Sequence, residues 1–156
     1  MGYETTFYGN LEIFPALTPL DMDYLKNFHL TRHYKRRVSP SYGVEGEFYV
    51  EGADDRKEPN WLIDKIPEGY NDPPSTQPSL WCGWYPSDDG ARLICESGKT
   101  KCPKEWLEWL MNKFFLPSGY IVEGTVSFQG EEYPDQGIIE VKDGEVNMYY
   151  SNEVGW

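Results

Sequence analysis

The chain has 156 residues, 16% of them aromatic, and its 26 acidic against 14 basic side chains give a formal net charge of -12. That length suits one domain, residues 1–156, with one sizeable core, and the six Trp, twelve Tyr and seven Phe supply the large buried units it needs, which excludes wholesale disorder. So acidic a surface repels phosphate backbones, so direct nucleic-acid binding is not expected; plain solubility or a basic protein partner suits it better.

Residues 3–13 alternate, with Tyr3, Thr5, Phe7, Leu11 and Ile13 on one side, and read as a strand. Thr18-Pro19-Leu20-Asp21 then opens a helix: Thr18 can cap, Pro19 suits the first helical position, and Asp21 and Asp23 complement the positive end of the dipole. Leu20, Met22, Leu25 and Phe28 make its apolar face, and the helix is expected to run out through Arg32-His33-Tyr34-Lys35-Arg36-Arg37. Residues 38–79 are rich in Pro and Gly and read as a loop-rich segment. Within it Glu47–Glu51 reads as a strand, Asn60–Ile66 as a short element and Pro67–Gln77 as a long surface loop.

Residues 80–96 read as a hairpin, with Leu80, Cys82 and Trp84 on one face and turn chemistry throughout Pro86–Gly90. Pro103 starts a second helix. Its two rows, Trp106-Leu110-Phe114 and Leu107-Met111-Phe115, form a wide apolar stripe, and Pro117-Ser118-Gly119 stops it. Tyr120, Val122, Val126 and Phe128 then face inward from a strand. Asp143-Gly144 is a two-residue hairpin signal. With that turn, Lys142 faces Glu145, Val141 faces Val146 and Ile139 faces Met148, so the apolar pairs share one face and the charge pair takes the other. The expectation is an α+β fold: an antiparallel sheet of about five to seven strands with two helices packed on it.

The cysteines Cys82, Cys95 and Cys102 are an odd number without a framework spacing, which fits a reducing cytoplasm. No signal peptide is visible at Met1–Thr6 and no long apolar run exists, so neither a membrane span nor a membrane partner is expected. His29 and His33 lie four apart on the first expected helix, but no third ligand is placed beside them; they read as half-exposed surface histidines, and no metal or other cofactor is expected. Ser97-Gly98-Lys99-Thr100 resembles the end of a phosphate loop, yet the glycine that pattern needs at position 93 is Leu93. No catalytic set is evident, and an enzyme is the reading the residues support least.

Two clusters remain as candidate binding sites. Arg32, Lys35, Arg36 and Arg37 with Tyr34 are the only basic cluster and could grip an anion or nucleotide, or could simply complement a helix C-terminus. Glu131, Glu132 and Asp135 with Tyr133 form an acidic loop that could hold a divalent cation or meet arginines on a partner, or be a solvated turn.

Residues 80–146 resemble a small family of phage and prophage proteins. The resemblance rests on Trp81-Cys82-Gly83-Trp84-Tyr85-Pro86, Asp89-Gly90, the helix from Glu105 to Phe115, Gly119-Tyr120 through Gln129-Gly130-Glu131, and the Asp135-x-Gly137-x-Ile139-x-Val141 run. The chain departs from the family at Lys99–Cys102, where relatives carry Glu-Lys-Phe-Tyr, and at Phe128, where Trp is usual. The resemblance implies a phage or prophage origin and no catalytic residues. The expected function is therefore a phage accessory protein that binds a host protein in the host cytoplasm without catalysis, such as an inhibitor of a bacterial defence system. The alternative is a small-ligand binder, such as a sponge for a nucleotide signal.

Overall fold

A computed structural model describes residues 3–51 and 67–151. Seven antiparallel strands among them form one sheet: β1 (Thr5–Tyr8), β2 (Leu11–Phe14), β3 (Trp84–Pro86), β4 (Arg92–Cys95), β5 (Ile121–Gly130), β6 (Gln136–Lys142) and β7 (Glu145–Tyr150). The order is β3-β4-β2-β5-β6-β7, with β1 also on β5. Helices α1 (Pro19–Leu30) and α2 (Pro103–Leu110) complete the α+β fold, and α2 continues as a π-helical turn over Met111–Phe115.

The expected strand at 3–13 is interrupted rather than continuous. Gly9 takes φ +86°, and β1 and β2 flank it while keeping one register on β5, with Tyr8 opposite Ser127 and Leu11 opposite Gly124. The final hairpin has the derived register: Lys142 pairs with Glu145, Val141 with Val146 and Ile139 with Met148. Both turn residues have positive φ, Asp143 at 52° and Gly144 at 80°, the backbone that lets a two-residue turn match the twist of its strands.

Both helices bury their apolar sides on one face of the sheet. Leu11, Ile13, Leu93, Val122, Val126, Ile139 and Val141 from the strands share one buried cluster with Leu25, Phe28, Trp106, Leu110 and Phe115. The helices meet through rings: Phe28 stacks on Trp109 at 5.1 Å and meets Trp106 edge-on at 5.7 Å, and Tyr24 stacks on Phe114 at 5.7 Å. The Thr18 hydroxyl accepts from the Asp21 N–H, as its sequence position predicts, and the Tyr120 hydroxyl donates to Asp21 Oδ2 at 2.6 Å, tying the start of α1 to the start of β5. Leu20, expected on the apolar face, is instead exposed.

The stretch from Thr31 to Glu51 departs most from expectation. Helix α1 stops at Leu30, because Thr31 turns extended and its hydroxyl donates back to the Asn27 carbonyl while accepting from the Glu51 N–H. Residues 32–37 are thus not a helix end. Their backbone bonds across to loops: His33 N–H to Leu80, Lys35 N–H to Asp72 and Arg36 N–H to Glu45. Glu47–Glu51 is not a strand either. It follows short 3-10 turns at Pro40–Tyr42 and Val44–Gly46, and the Glu47, Phe48 and Tyr49 N–H groups bond locally to Val44, Tyr42 and Gly46. The element expected at Asn60–Ile66 lies outside the described residues. The 67–77 loop is irregular as expected, but it packs inward through buried Pro74 and Gln77.

Candidate functional site

Glu47 organises the loop-rich side of the molecule. It is only 2% exposed. Its carboxylate accepts from the Val44 N–H, the Thr76 hydroxyl and the Trp109 indole N–H, and Lys113 lies 3.5 Å away. Burial, the largest influence, pushes its pKa up; these donors and the ammonium outweigh it and hold the carboxyl below its ordinary value. This anchor closes residues 43–48 over α2, which explains why Trp109, outside the expected stripe, is buried against Phe48.

The basic cluster lies along this same side, and its cations have internal partners. The Arg32 guanidinium sits 4.0 Å over the Tyr70 ring and donates to the Tyr70 carbonyl and to Asn71. Arg36 lies between the Tyr34 and Tyr49 rings, at 3.9 and 4.4 Å, and 3.6 Å from Glu51. Lys35 pairs with Glu45 at 3.7 Å and Arg37 with Glu68 at 2.7 Å. Tyr34, Lys35, Arg36 and Arg37 share a shallow cleft of about 370 Å³ with Glu68 on its wall, and Arg32 points away from it toward Tyr70 and Trp81. Arg32 and Arg36 thus fasten the 32–37 segment to the 45–51 and 67–72 segments, while the exposed Arg37–Glu68 pair and the half-exposed Lys35–Glu45 pair add little.

The acidic loop between β5 and β6 is fastened as well. Glu131 accepts from the Glu4 N–H, Asp135 from the Tyr3 hydroxyl at 2.7 Å, and that hydroxyl from the Glu132 N–H at 3.2 Å. Tyr133 is the fully presented side chain of the loop. Glu131 and Asp135 thus hold the N-terminal strand, while Glu132 offers its carboxylate to solvent.

His29 and His33 are both buried, contrary to the reading of half-exposed histidines, because α1 ends between them. His33 Nε2 donates to the Phe28 carbonyl at 2.8 Å, and burial, opposed by that hydrogen bond, lowers its pKa to about 3. His29 Nδ1 donates to the Cys82 carbonyl at 2.8 Å, which turns Nε2 toward Glu96 Oε1 at 3.7 Å. Burial pushes the Cys82 thiol up to about 12 and raises Cys95 further still, so neither is a ready nucleophile at neutral pH. Among the described residues, no group of three or more His, Cys, Asp or Glu side chains converges as a metal site.

Sequence reasoning missed a sizeable cleft beside α1. It has a volume of about 730 Å³ and is lined by His29, Trp81, Glu96, Lys99, Thr100 and Lys101, with Pro73 and Pro78 at its edge. Its walls come from α1, the 73–83 segment and the β4–α2 connection, so no local pattern reveals it. The one signal was Ser97-Gly98-Lys99-Thr100. Its backbone does not form a phosphate cradle, because Gly98 exchanges both backbone hydrogen bonds with Thr5 and the Ser97 hydroxyl accepts from Phe7. Its Lys99 lines the cleft, as does Lys101 just beyond the motif.

The second unrecognised feature is the sheet face opposite the helices. Along β5, Ile121, Glu123, Thr125 and Ser127 alternate outward and are exposed, although β5 is flanked by strands on both sides. Phe14 is 71% and Ile121 is 55% exposed, and they are direct cross-strand partners. Next to them on the same face, Glu12 stands between two cross-strand partners, Glu123 on β5 and Arg92 on β4.

No family model, curated protein or solved structure matches this chain.

Proposed function

We propose that this protein acts by non-catalytic binding, presenting the open face of its sheet to a protein with a basic surface. The observation that carries this reading is the juxtaposition of the exposed Phe14–Ile121 pair with the Glu12–Glu123 pair. Like charges directly opposite in a sheet are destabilising; Arg92 faces Glu12 from β4, and an arginine or lysine of a partner would relieve Glu123. The apolar pair beside them would supply the anchor, since an apolar centre with a charged rim is the usual build of a binding patch. Glu140 and Glu145 extend the acidic character of the face, Arg92 and Lys142 only partly offset it, and the whole chain carries -12. With the resemblance of residues 80–146 to phage and prophage proteins, this supports a phage accessory protein that occupies a basic surface of a host protein, in the manner of a defence inhibitor.

The test is capture from bacterial lysate with the wild-type chain and with an F14S/E123K variant in parallel. Both substituted side chains are exposed, so the variant should fold. A basic protein held by the wild type, released by salt and lost from the variant is the expected result. Equal retention by both chains, or no retention by the wild type, refutes the reading.

A further inference from the structure

The 730 Å³ cleft beside α1 is of the size that takes a small molecule, and its walls are fixed before anything enters. The Trp106 indole N–H donates to Ser79 Oγ at 2.7 Å, and His29 Nδ1 holds the Cys82 carbonyl, which together pin the 79–83 wall. Opposite, the Glu96 N–H bonds the Gly83 carbonyl at 2.8 Å and the Thr100 hydroxyl donates to the Glu96 carbonyl at 2.6 Å, which pins the 96–100 wall. A Cβ at Gly83 would collide with the Thr100 methyl, so the glycine is what lets these walls close up.

Charge within the cleft runs against the charge of the chain. Lys99 and Lys101 are exposed at its rim and have no ion-pair partner among the described residues, unlike Lys35, Arg36 and Arg37. Trp81 also lines the cleft, half-buried with the Arg32 guanidinium 5.8 Å from its ring centre, and the exposed Glu96 carboxylate lies 3.7 Å from His29 Nε2. Two ammonium groups recognise an anion of phosphate type, an indole recognises a planar ring, and a carboxylate accepts from a ring amine. We infer that this cleft binds a nucleoside monophosphate with an amino-bearing base, its phosphate at Lys99 and Lys101, its base at Trp81 and its amine toward Glu96. This site is separate from the Arg32–Arg37 cluster, whose cations have internal partners. It does not depend on the open sheet face, so either proposal can fail alone.

The test is calorimetric titration with adenosine 5′-monophosphate, adenosine and inorganic phosphate as separate probes. Saturable binding of the monophosphate is expected, tighter than either fragment. In a K99Q/K101Q variant its affinity should fall at least about tenfold, since charge-assisted bonds to phosphate are among the stronger polar contacts, while adenosine should be unaffected. Both lysines are exposed, so an unchanged melting temperature will show that the variant is folded. R37Q, on the other cleft, should leave affinity unchanged. Absence of monophosphate binding at millimolar concentration, undiminished binding in K99Q/K101Q, or a loss in R37Q instead would each overturn the inference.

Discussion

Acid should destabilise this protein in a way traceable to His33. The imidazole is 2% exposed, packed 4.1 Å from the Phe28 ring and 5.2 Å from Trp106, and a folded pKa of about 3 replaces the ordinary 6.5. Burial dominates: the Phe28 carbonyl favours the charged form but is outweighed, and Arg36 and His29 add repulsion. Above pH 6.5 the ring is neutral in both states and stability is at its full value. As pH falls below 6.5 the unfolded chain takes up a proton that the folded chain refuses until about pH 3, so stability drops by about 1.4 kcal/mol per pH unit. At pH 4.5 the loss is about 3 kcal/mol, a large share of the total stability of an ordinary domain. H33Q isolates the effect, because an amide can still donate to the Phe28 carbonyl but takes up no proton. Urea unfolding of both chains from pH 7.5 to 4.5 should show a constant gap above pH 7. Below pH 6.5 the gap should narrow by about 1.4 kcal/mol per unit as the wild type alone weakens. A gap that stays level to pH 4.5, or a His33 ring proton signal that titrates near 6.5 in the folded protein, refutes the reasoning.

Two further substitutions test how the fold is held. E47A strips three hydrogen-bond donors and Lys113 of their common acceptor at a buried site, and should cost about 3–5 kcal/mol by urea unfolding, with E47Q milder because it can still accept; a cost below about 1 kcal/mol would mean the loops are held without it. G137A should disrupt the β6–β7 pairing, since a Cβ there runs into the Tyr149 carbonyl, and hydrogen exchange should quicken across Glu145–Tyr150; unchanged protection would contradict the tight approach.

How much of this was legible depends on whether the deciding contact was local. The β6–β7 register follows from a two-residue turn and an alternating pattern that agree with each other, so residues 138–148 were readable without the structure. The α1 cap and the α2 stripe are likewise local. Thr31 is different. Its hydroxyl ends the helix, but its hydrogen bond to Glu51, twenty residues on, is what holds the extended turn, and nothing in the run Arg32–Arg37 announces that. Glu47 reads in sequence as the first residue of a strand because Glu-Phe-Tyr-Val-Glu alternates, while its actual environment is assembled from Val44, Thr76, Trp109 and Lys113. The large cleft joins residues as far apart as His29 and Lys101, and the open sheet face shows itself only once both helices are known to lie on the other side.

A net charge of -12 suggests a single electrostatic character, but its distribution supports two. The clustered cations at 32–37 are spent on internal fastening, so they do little to offset the acids elsewhere. On the open face Glu123 stands opposite Glu12, which Arg92 flanks on its other side, while Lys99 and Lys101 at the rim of a cleft have no ion-pair partner among the described residues. Exposed charges are screened within about 8 Å at physiological salt, so a small anion entering the cleft feels the two nearby ammonium groups more than the distant acidic excess. A large basic partner spans many such lengths and responds to the sum. The two proposals, a cationic macromolecule over the sheet and a small anion beside α1, are therefore electrostatically compatible, because range, and not total charge, decides which charges each ligand would meet.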